Sequence, residues 1–404
     1  MKQKVWVANY LTTFSCIGSA CEDTCCKGNW NVSVDKEQYE YYKQLDAKNQ
    51  SRFFQSGIKK NAQPSSEKNY ATIPLHAQSG CSFLTTESLC SIHQQYGPEL
   101  LSHTCRNYPR QTEKINEQFY QTGHLSCPEI ARLSLLSNKT IHWKMSTNQI
   151  HNGPLFRESQ SNEKYYKRVH DILTTLIQQR SFSLQERLWL IGAFLIELSN
   201  MSDIYGKSKA ISLAFKRTQK AQKHASNHIQ DAPNSFLMQM IIQTIYKMKQ
   251  DSRCSVRFKE CLDWCIQGFE LYENVQVHDN IIRTYQKKYE TYYQLFFKNY
   301  AHILENYCLY SFQRQLFPYE LKDVPSQYIL YLVEFALLKY ILIGISASPS
   351  GLTENTAIQV FQSYSKIFHH NESCYDDYIG TMYEQFYSMY PERFTECTSI
   401  LLSE

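Results

Sequence analysis

Eight cysteines carry the chemical interest of this 404-residue chain: Cys16, Cys21, Cys25 and Cys26, then Cys81, Cys90 and Cys105, and finally Cys127. The first group reads C-x4-C-x3-C-C. Thiolates at short spacings on irregular backbone suit a soft metal ion or a cluster, because loops converge on one centre where a rigid element cannot. Pro128 stiffens the chain just beyond Cys127, as proline does beside cluster cysteines in ferredoxins. Two readings stay open. One is an iron–sulfur cluster such as [4Fe–4S]. The other is tetrahedral Zn2+ held by four thiolates, or by three with His93. Disulfides are set aside, since nothing in the sequence points to an oxidising compartment. Eight thiols exceed what one [4Fe–4S] centre takes, so either some are spectators or there are two sites. One of the adjacent pair Cys25 and Cys26 is the first spectator to consider.

Other residues could serve such a site. Arg106 and Arg110 flank Cys105 and could neutralise an anionic cluster or clamp a carboxylate of a bound cofactor; both types of side chain also commonly serve as ion-pair partners. His93 and His124 are candidate ligands, and Asp35 and Glu129 candidate bases. No catalytic residue can be assigned from sequence. Radical chemistry with S-adenosylmethionine uses C-x3-C-x2-C. Cys21 and Cys25 have the first spacing, but Gly28 stands where the third cysteine belongs. A second set, Cys254, Cys261 and Cys265, lies on one face of a single helix and reads as small core hydrophobes.

The elements that must hold these residues divide the chain. Residues 1–136 lack helical periodicity and are expected to form an irregular, Cys-rich metal-binding domain. Residues 137–164 are polar, with Asn, Ser, Gly and Pro, and read as a linker. Residues 165–404 repeat apolar side chains at three- and four-residue spacing and read as an all-α domain, making the protein mainly α. Helices are expected from 165 and 184, the second opened by a Ser183–Glu186 capping box, and over 235–249, 255–273, 278–310, 326–346, 354–369 and 375–390. The stretch 328–347 is long enough to span a bilayer, but it contains Glu334 and Lys339 and reads as a buried helix of a helical domain. No membrane association is expected. Forty-two Lys and Arg against 38 Asp and Glu make too mild a charge for a nucleic-acid binder. No secretory signal is read at the N-terminus, so a cytoplasmic protein is expected. The 30 tyrosines pair apolar area with a hydroxyl and suit helix faces, grooves and interfaces.

The cysteine pattern resembles the CxxCxxCC cysteine-cluster family of zinc- or iron-chelating proteins, and most closely its flagellin lysine-N-methylase branch. The resemblance rests on Cys16–Trp30 continuing to Val34, Asp35 and Tyr39, on Cys81-Ser-Phe-Leu84, on Leu89-Cys90-Ser-Ile92, on Leu101-Ser-His-Thr-Cys105-Arg-Asn-Tyr-Pro-Arg110, and on Ser126-Cys127-Pro-Glu129. Beyond residue 136 it rests on helical character and on Glu305-Asn306-Tyr307 and Leu316-Phe317-Pro318. What it implies is methyl transfer from S-adenosylmethionine to surface lysines of flagellin by a protein carrying a [4Fe–4S] cluster. The rival reading is a non-enzymatic zinc- or iron-binding interaction or sensor protein.

Overall fold

The structure is a computed structural model describing residues 2–27, 30–48, 53–76, 79–149, 158–159, 163–230, 233–271, 279–318, 323–390 and 393–404. The chain forms two compact units. The first holds Met1–Leu133 and Trp143–Glu158, the second Ser134–His142 and Ser159–Glu404.

The first unit departs from the irregular backbone expected of it. Among the described residues nine short strands run through this part of the chain: β1 (Lys2–Ala8), β2 (Asn31–Val34), β3 (Lys59–Lys60), β4 (Ala71–His76), β5 (Gly80–Cys81), β6 (Arg110–Ile115), β7 (Gln118–Gly123), β8 (Trp143–Gln149) and β9 (Glu158–Ser159). They form a five-stranded sheet in the order β8-β1-β7-β6-β9 and a smaller sheet in which β4 pairs with β2, β3 and β5. β1 lies parallel to β7 and antiparallel to β8. β8 therefore sits inside the stretch 137–164 expected as a linker; residues 150–157 and 160–162 of that stretch lie outside the described residues.

Alternation was hidden because the inward positions are polar or broken. In β6 the buried residues are Gln111, Glu113 and Ile115. Gln111 Nε2 donates to Glu113 Oε1 at 2.7 Å, so an amide and a carboxylate pair where apolar side chains would have shown the pattern. In β4 Pro74 interrupts an otherwise alternating run. Four helices accompany the sheets: α1 (Lys36–Ala47), α2 (Ser91–Tyr96), α3 (His103–Asn107) and α4 (Pro128–Leu135). The smaller sheet packs with α1 and α2 around Val32, Val34, Tyr42, Phe53, Ile73 and Phe83.

The second unit is built almost wholly from helices: α5 (Glu163–Ile177), α6 (Leu184–Tyr205), α7 (Lys207–Ala221), α8 (Ser235–Gln250), α9 (Val256–Phe269), α10 (Asp279–Lys288), α11 (Gln294–Arg314), α12 (Val324–Ser346), α13 (Glu354–Phe368), α14 (Glu372–Tyr375), α15 (Thr381–Met389) and α16 (Phe394–Leu401). Single π-turns at Tyr289–Tyr293 and Asp376–Gly380 break the segments expected over 278–310 and 375–390; residues 272–278 lie outside the described ones. The predicted capping box opens α6: Glu186 N–H donates to Ser183 Oγ at 3.2 Å and Ser183 N–H to Glu186 Oε2 at 2.6 Å. α12 is long and apolar enough to cross a membrane by length and composition, and it is buried along nearly its whole length, Glu334 and Lys339 included. Cys254, Cys261 and Cys265 are buried, with Cys265 against the Tyr340 carbonyl of α12 and Cys261 near Ser363 of α13.

Asp35 is an N-cap. Its carboxylate accepts the Gln38 N–H at 2.8 Å at the start of α1. Asp35→Ala should cost about 1 kcal/mol of first-unit stability, as lost N-caps do. A urea titration that leaves the transition in place would show that the side chain serves something other than the cap.

Candidate metal centre

Both sheets and the turns that follow their strands carry the eight thiols. β1 and β7 are parallel neighbours, so the chain leaves both at the same edge of the five-stranded sheet. From β1 it passes through the turn Asn9–Thr13 to Cys16 and then Cys21; from β7 it passes through His124 to Cys127, which precedes α4. The Tyr10 hydroxyl accepts the Gly123 N–H at 3.2 Å, and Arg132 of α4 pairs with Glu22 at 2.7 Å, fastening the two exits together. On the smaller sheet, Cys81 ends β5, and its N–H donates to the Cys26 carbonyl at 2.8 Å. Gly80, at φ +75°, makes this approach possible: a Cβ there would stand 2.6 Å from the Cys26 oxygen. Leu84 bridges back to Cys90, while Thr104 of α3 donates to the Ser33 carbonyl of β2 and sets Cys105 beside them.

All of these thiols are free; Cys16 is exposed and the other seven are partly buried. Burial pushes Cys105 up to about 12, and Cys81 and Cys127 up to about 11, with neighbouring thiols adding to each. Burial also raises Cys21 and Cys90. Cys26 is the exception: the hydrogen bond it receives from the Cys25 thiol brings it down to about 7, while Cys25 is driven strongly upward and keeps its proton. Backbone N–H groups point at several sulfurs. Those of Ile92 and His93 serve Cys90, and those of Glu129 and Ile130 serve Cys127, each cysteine standing just before a helix. N–H donors and a helix N-terminus both favour the thiolate that a metal requires. Free thiols with N–H groups aimed at them are the donor chemistry of a thiophilic centre. Among the described residues, however, no three Cys, His, Asp or Glu side chains stand close enough to hold an ion as they are.

The other expected site residues fall differently. Arg106 is committed to the 99–101 turn, donating to the Glu99 and Leu101 carbonyls and pairing with the Glu99 carboxylate at 3.5 Å. Arg110 is half-buried and lies over the ring of Phe14, two residues before Cys16 in sequence, at 5.3 Å. Among the described residues no carboxylate pairs with it, and burial lowers its pKa. The His93 ring is exposed, and only its backbone serves Cys90. His124 is buried, its Nδ1 accepting the Ser126 N–H at 3.3 Å. Glu129 pairs with Arg132 at 3.0 Å. Sequence reasoning passed over Tyr108, which is partly buried in the reach of Cys25 and Cys127, with its hydroxyl 3.0 Å from Ser126 Oγ; the Tyr between Cys105 and Arg110 was its only signal.

The second unit has a polar centre of its own. Glu334 accepts from the Tyr307 hydroxyl at 2.8 Å and lies 3.5 Å from both the Tyr375 hydroxyl and His369 Nε2. Burial pushes its carboxyl up, but His369, Arg314 and Tyr307 together outweigh burial and hold it below its ordinary range. Nearby on α12, burial lowers Lys339 to about 7 and its ammonium lies 5.0 Å from the Tyr289 ring. A separate cleft of about 230 Å3 is lined by Trp189, Glu197, Arg217, Thr218 and Phe394, with Arg217 and Glu197 paired at 2.8 Å.

Comparison with known proteins points in one direction. Residues 170–390 match the family described as the FliB lysine N-methylase C-terminal domain. A lysine-N-methylase of Salmonella typhimurium is 32% identical over 143 residues, which is 33% of this chain and 34% of that protein. A lysine-N-methylase of Salmonella choleraesuis gives the same figures. The flagellar biosynthetic protein FliU of Salmonella muenchen is 33% identical over 125 residues, 30% of this chain and 70% of FliU. The match thus spans about a third of the length of the two lysine-N-methylases. No solved structure matches the chain.

Proposed function

The chain belongs to the FliB lysine N-methylase family, and from that premise we propose that it is a protein-lysine methyltransferase acting on surface lysines of flagellin with S-adenosylmethionine as donor. The family match over 170–390 carries this reading, and the thiol-rich first unit supports a [4Fe–4S] cluster within it. A cytoplasmic setting goes with it, since free thiols persist where the milieu is reducing.

Methyl transfer to lysine is a displacement: the amine nitrogen forms a bond to the methyl carbon as the sulfonium sulfur leaves with the bonding pair, and the nitrogen loses a proton to a base or to water. The nucleophile must therefore be the neutral amine, which a desolvated position favours. Donor and acceptor must also be held in line, and aromatic faces suit both the sulfonium and the lysine ammonium. When bound, a cluster with an open iron supplies a place for the donor's amino and carboxylate groups. Arg110, a half-buried cation above the Phe14 ring, is a candidate among the described residues to take that carboxylate.

The reaction is tested by incubating anaerobically purified protein with S-adenosylmethionine and flagellin. Lysine-containing peptides heavier by successive methyl groups are expected by mass spectrometry. Unmodified flagellin from protein that retains its iron and its fold would leave the binding or sensing role as the better reading.

A further inference from the structure

The second unit carries a cleft and a charged face that the methyl transfer does not use, and α7 belongs to both. The cleft lies where α6, α7 and α16 meet. Its walls are mostly apolar: Ala193 and Ile196 on α6, Ala221 on α7, and the rings of Trp189 and Phe394. At about 230 Å3 it falls below the roughly 300–1,000 Å3 of pockets that take cofactors and drug-sized ligands. One large side chain is its natural occupant. At the rim Arg217 Nη1 holds Glu197 at 2.8 Å, and the Arg217 side chain is 62% exposed. Among the described residues no other group takes up its remaining N–H donors.

Beside the cleft, α7 turns cations to solvent. Between Asp203 and Asp231 the chain has six Lys and Arg and no Asp or Glu. Lys209, Lys216 and Lys220, spaced by seven and four residues, share one exposed stripe of the helix. Arg217 stands between that stripe and the cleft. Arg168 of α5 adds a further cation, donating to the Ser208 carbonyl at 3.3 Å and to Ser212 Oγ at 2.6 Å. Among the described residues no carboxylate pairs with Lys216 or Lys220.

We propose that this face docks an acidic segment of a partner protein, which seats one large apolar side chain in the cleft and lays its carboxylates against Arg217, Lys216 and Lys220. The inference stands on the second unit alone and goes beyond methyl transfer. Charge rules out a lysine as the occupant, because its ammonium would meet Arg217 at the rim. A single-stranded nucleic acid needs a free ring face on which to stack a base. Trp189 offers none: it is 7% exposed, and the His228 ring stacks on it at 4.2 Å. A membrane surface needs apolar side chains beside the cations, whereas α7 exposes only Lys, Arg, Ser and Gln. An acidic segment with one apolar side chain matches the cleft and the charge together.

Fluorescence anisotropy with the full chain and short labelled peptides tests the docking. The probes are Glu-Glu-Phe-Glu-Glu, its analogue Glu-Glu-Ala-Glu-Glu, and Lys-Lys-Phe-Lys-Lys. The Phe-centred acidic peptide should bind about tenfold more tightly than the Ala-centred one, as burial of one ring supplies. The basic peptide should not bind. Raising NaCl from about 0.05 M to about 0.5 M should weaken both acidic peptides by about tenfold. Lys216→Glu combined with Lys220→Glu should weaken them by about tenfold as well. Ala221→Leu narrows the cleft and should remove the preference for Phe. Where that variant unfolds, as circular dichroism would show, the exposed Lys pair still decides. Equal affinity for the two acidic peptides, or indifference to the charge reversal, overturns the docking. So does an oligonucleotide that displaces the peptide and binds more tightly than it. Absence of binding at millimolar peptide overturns it too, and leaves methyl transfer to be judged separately on flagellin.

Discussion

Replacing Gly268 by Ala should destabilise the helical unit by about 3 kcal/mol, at the upper end of what overpacking costs. On an exposed helical position the same change stabilises by about 1 kcal/mol, because alanine is the better helix former. The contact decides the sign. A Cβ on Gly268 of α9 would stand 1.8 Å from the Gly344 carbonyl oxygen of α12 and 2.7 Å from its carbon. Gly344 answers from the other side, where a Cβ would meet Cys265 Sγ at 2.7 Å and the Cys265 carbonyl at 2.8 Å. Backbone on both sides cannot rotate aside, so the helices must part. The rings they bring together, Phe269 and Tyr340 with centroids 4.4 Å apart, must part with them. Gly380→Ala is the control: the nearest atom to a Cβ there is 3.8 Å away, and stability should be unchanged or slightly raised. Urea titration followed by far-ultraviolet circular dichroism compares the two. Equal midpoints for Gly268→Ala and the unaltered chain would show that α9 and α12 do not cross at these glycines.

That crossing also marks how far the sequence can be read. α12 and α9 were legible as helices from periodicity, and the α6 capping box from Ser183 and Glu186 alone, because each signal lies within a turn or two of chain. α7 was missed: its buried stripe of Ala210, Ile211 and Ala214 is too small to stand out among the nine polar residues of a basic segment. The strands were missed for a different reason. β6 buries Gln111 and Glu113, so polarity at inward positions erased the two-residue period. The candidate site divides in the same way. That eight cysteines are candidates for soft-metal chemistry was legible from residue type. Which of them are neighbours was not, because Cys16 and Cys127 meet through a parallel pairing of β1 with β7 across more than a hundred residues, and parallel pairs leave no local turn signal. Arg106 and Arg110 looked equivalent in sequence; only the turn at 99–101, which takes up Arg106, separates them.

Glu305→Gln should cost about 3–5 kcal/mol, the range seen when one partner of a buried ion pair is removed. Glu305 and Arg187 are both almost fully buried, with Arg187 Nη1 2.7 Å from Glu305 Oε1. Arg180, more exposed, holds the other carboxylate oxygen at 2.9 Å. The amide keeps the shape and one acceptor but leaves the Arg187 guanidinium charged in a dry place, and that desolvation is what dominates the loss. Arg187 also donates to the Ile177 carbonyl at the end of α5, so α5, α6 and α11 loosen together. The stretch Glu305-Asn306-Tyr307, part of the family resemblance, is a structural knot. Asn306 donates to the Leu135 and Ser137 carbonyls at 3.3 and 2.7 Å, and Tyr307 donates to Glu334. A second variant separates charge from packing. Arg187→Met with Glu305→Gln removes the stranded cation and should recover much of the loss, since buried pairs replaced by apolar groups are often nearly neutral. The urea midpoint of the double variant should lie above that of Glu305→Gln. A double variant no more stable than Glu305→Gln alone would place the loss in packing rather than in the unpaired guanidinium.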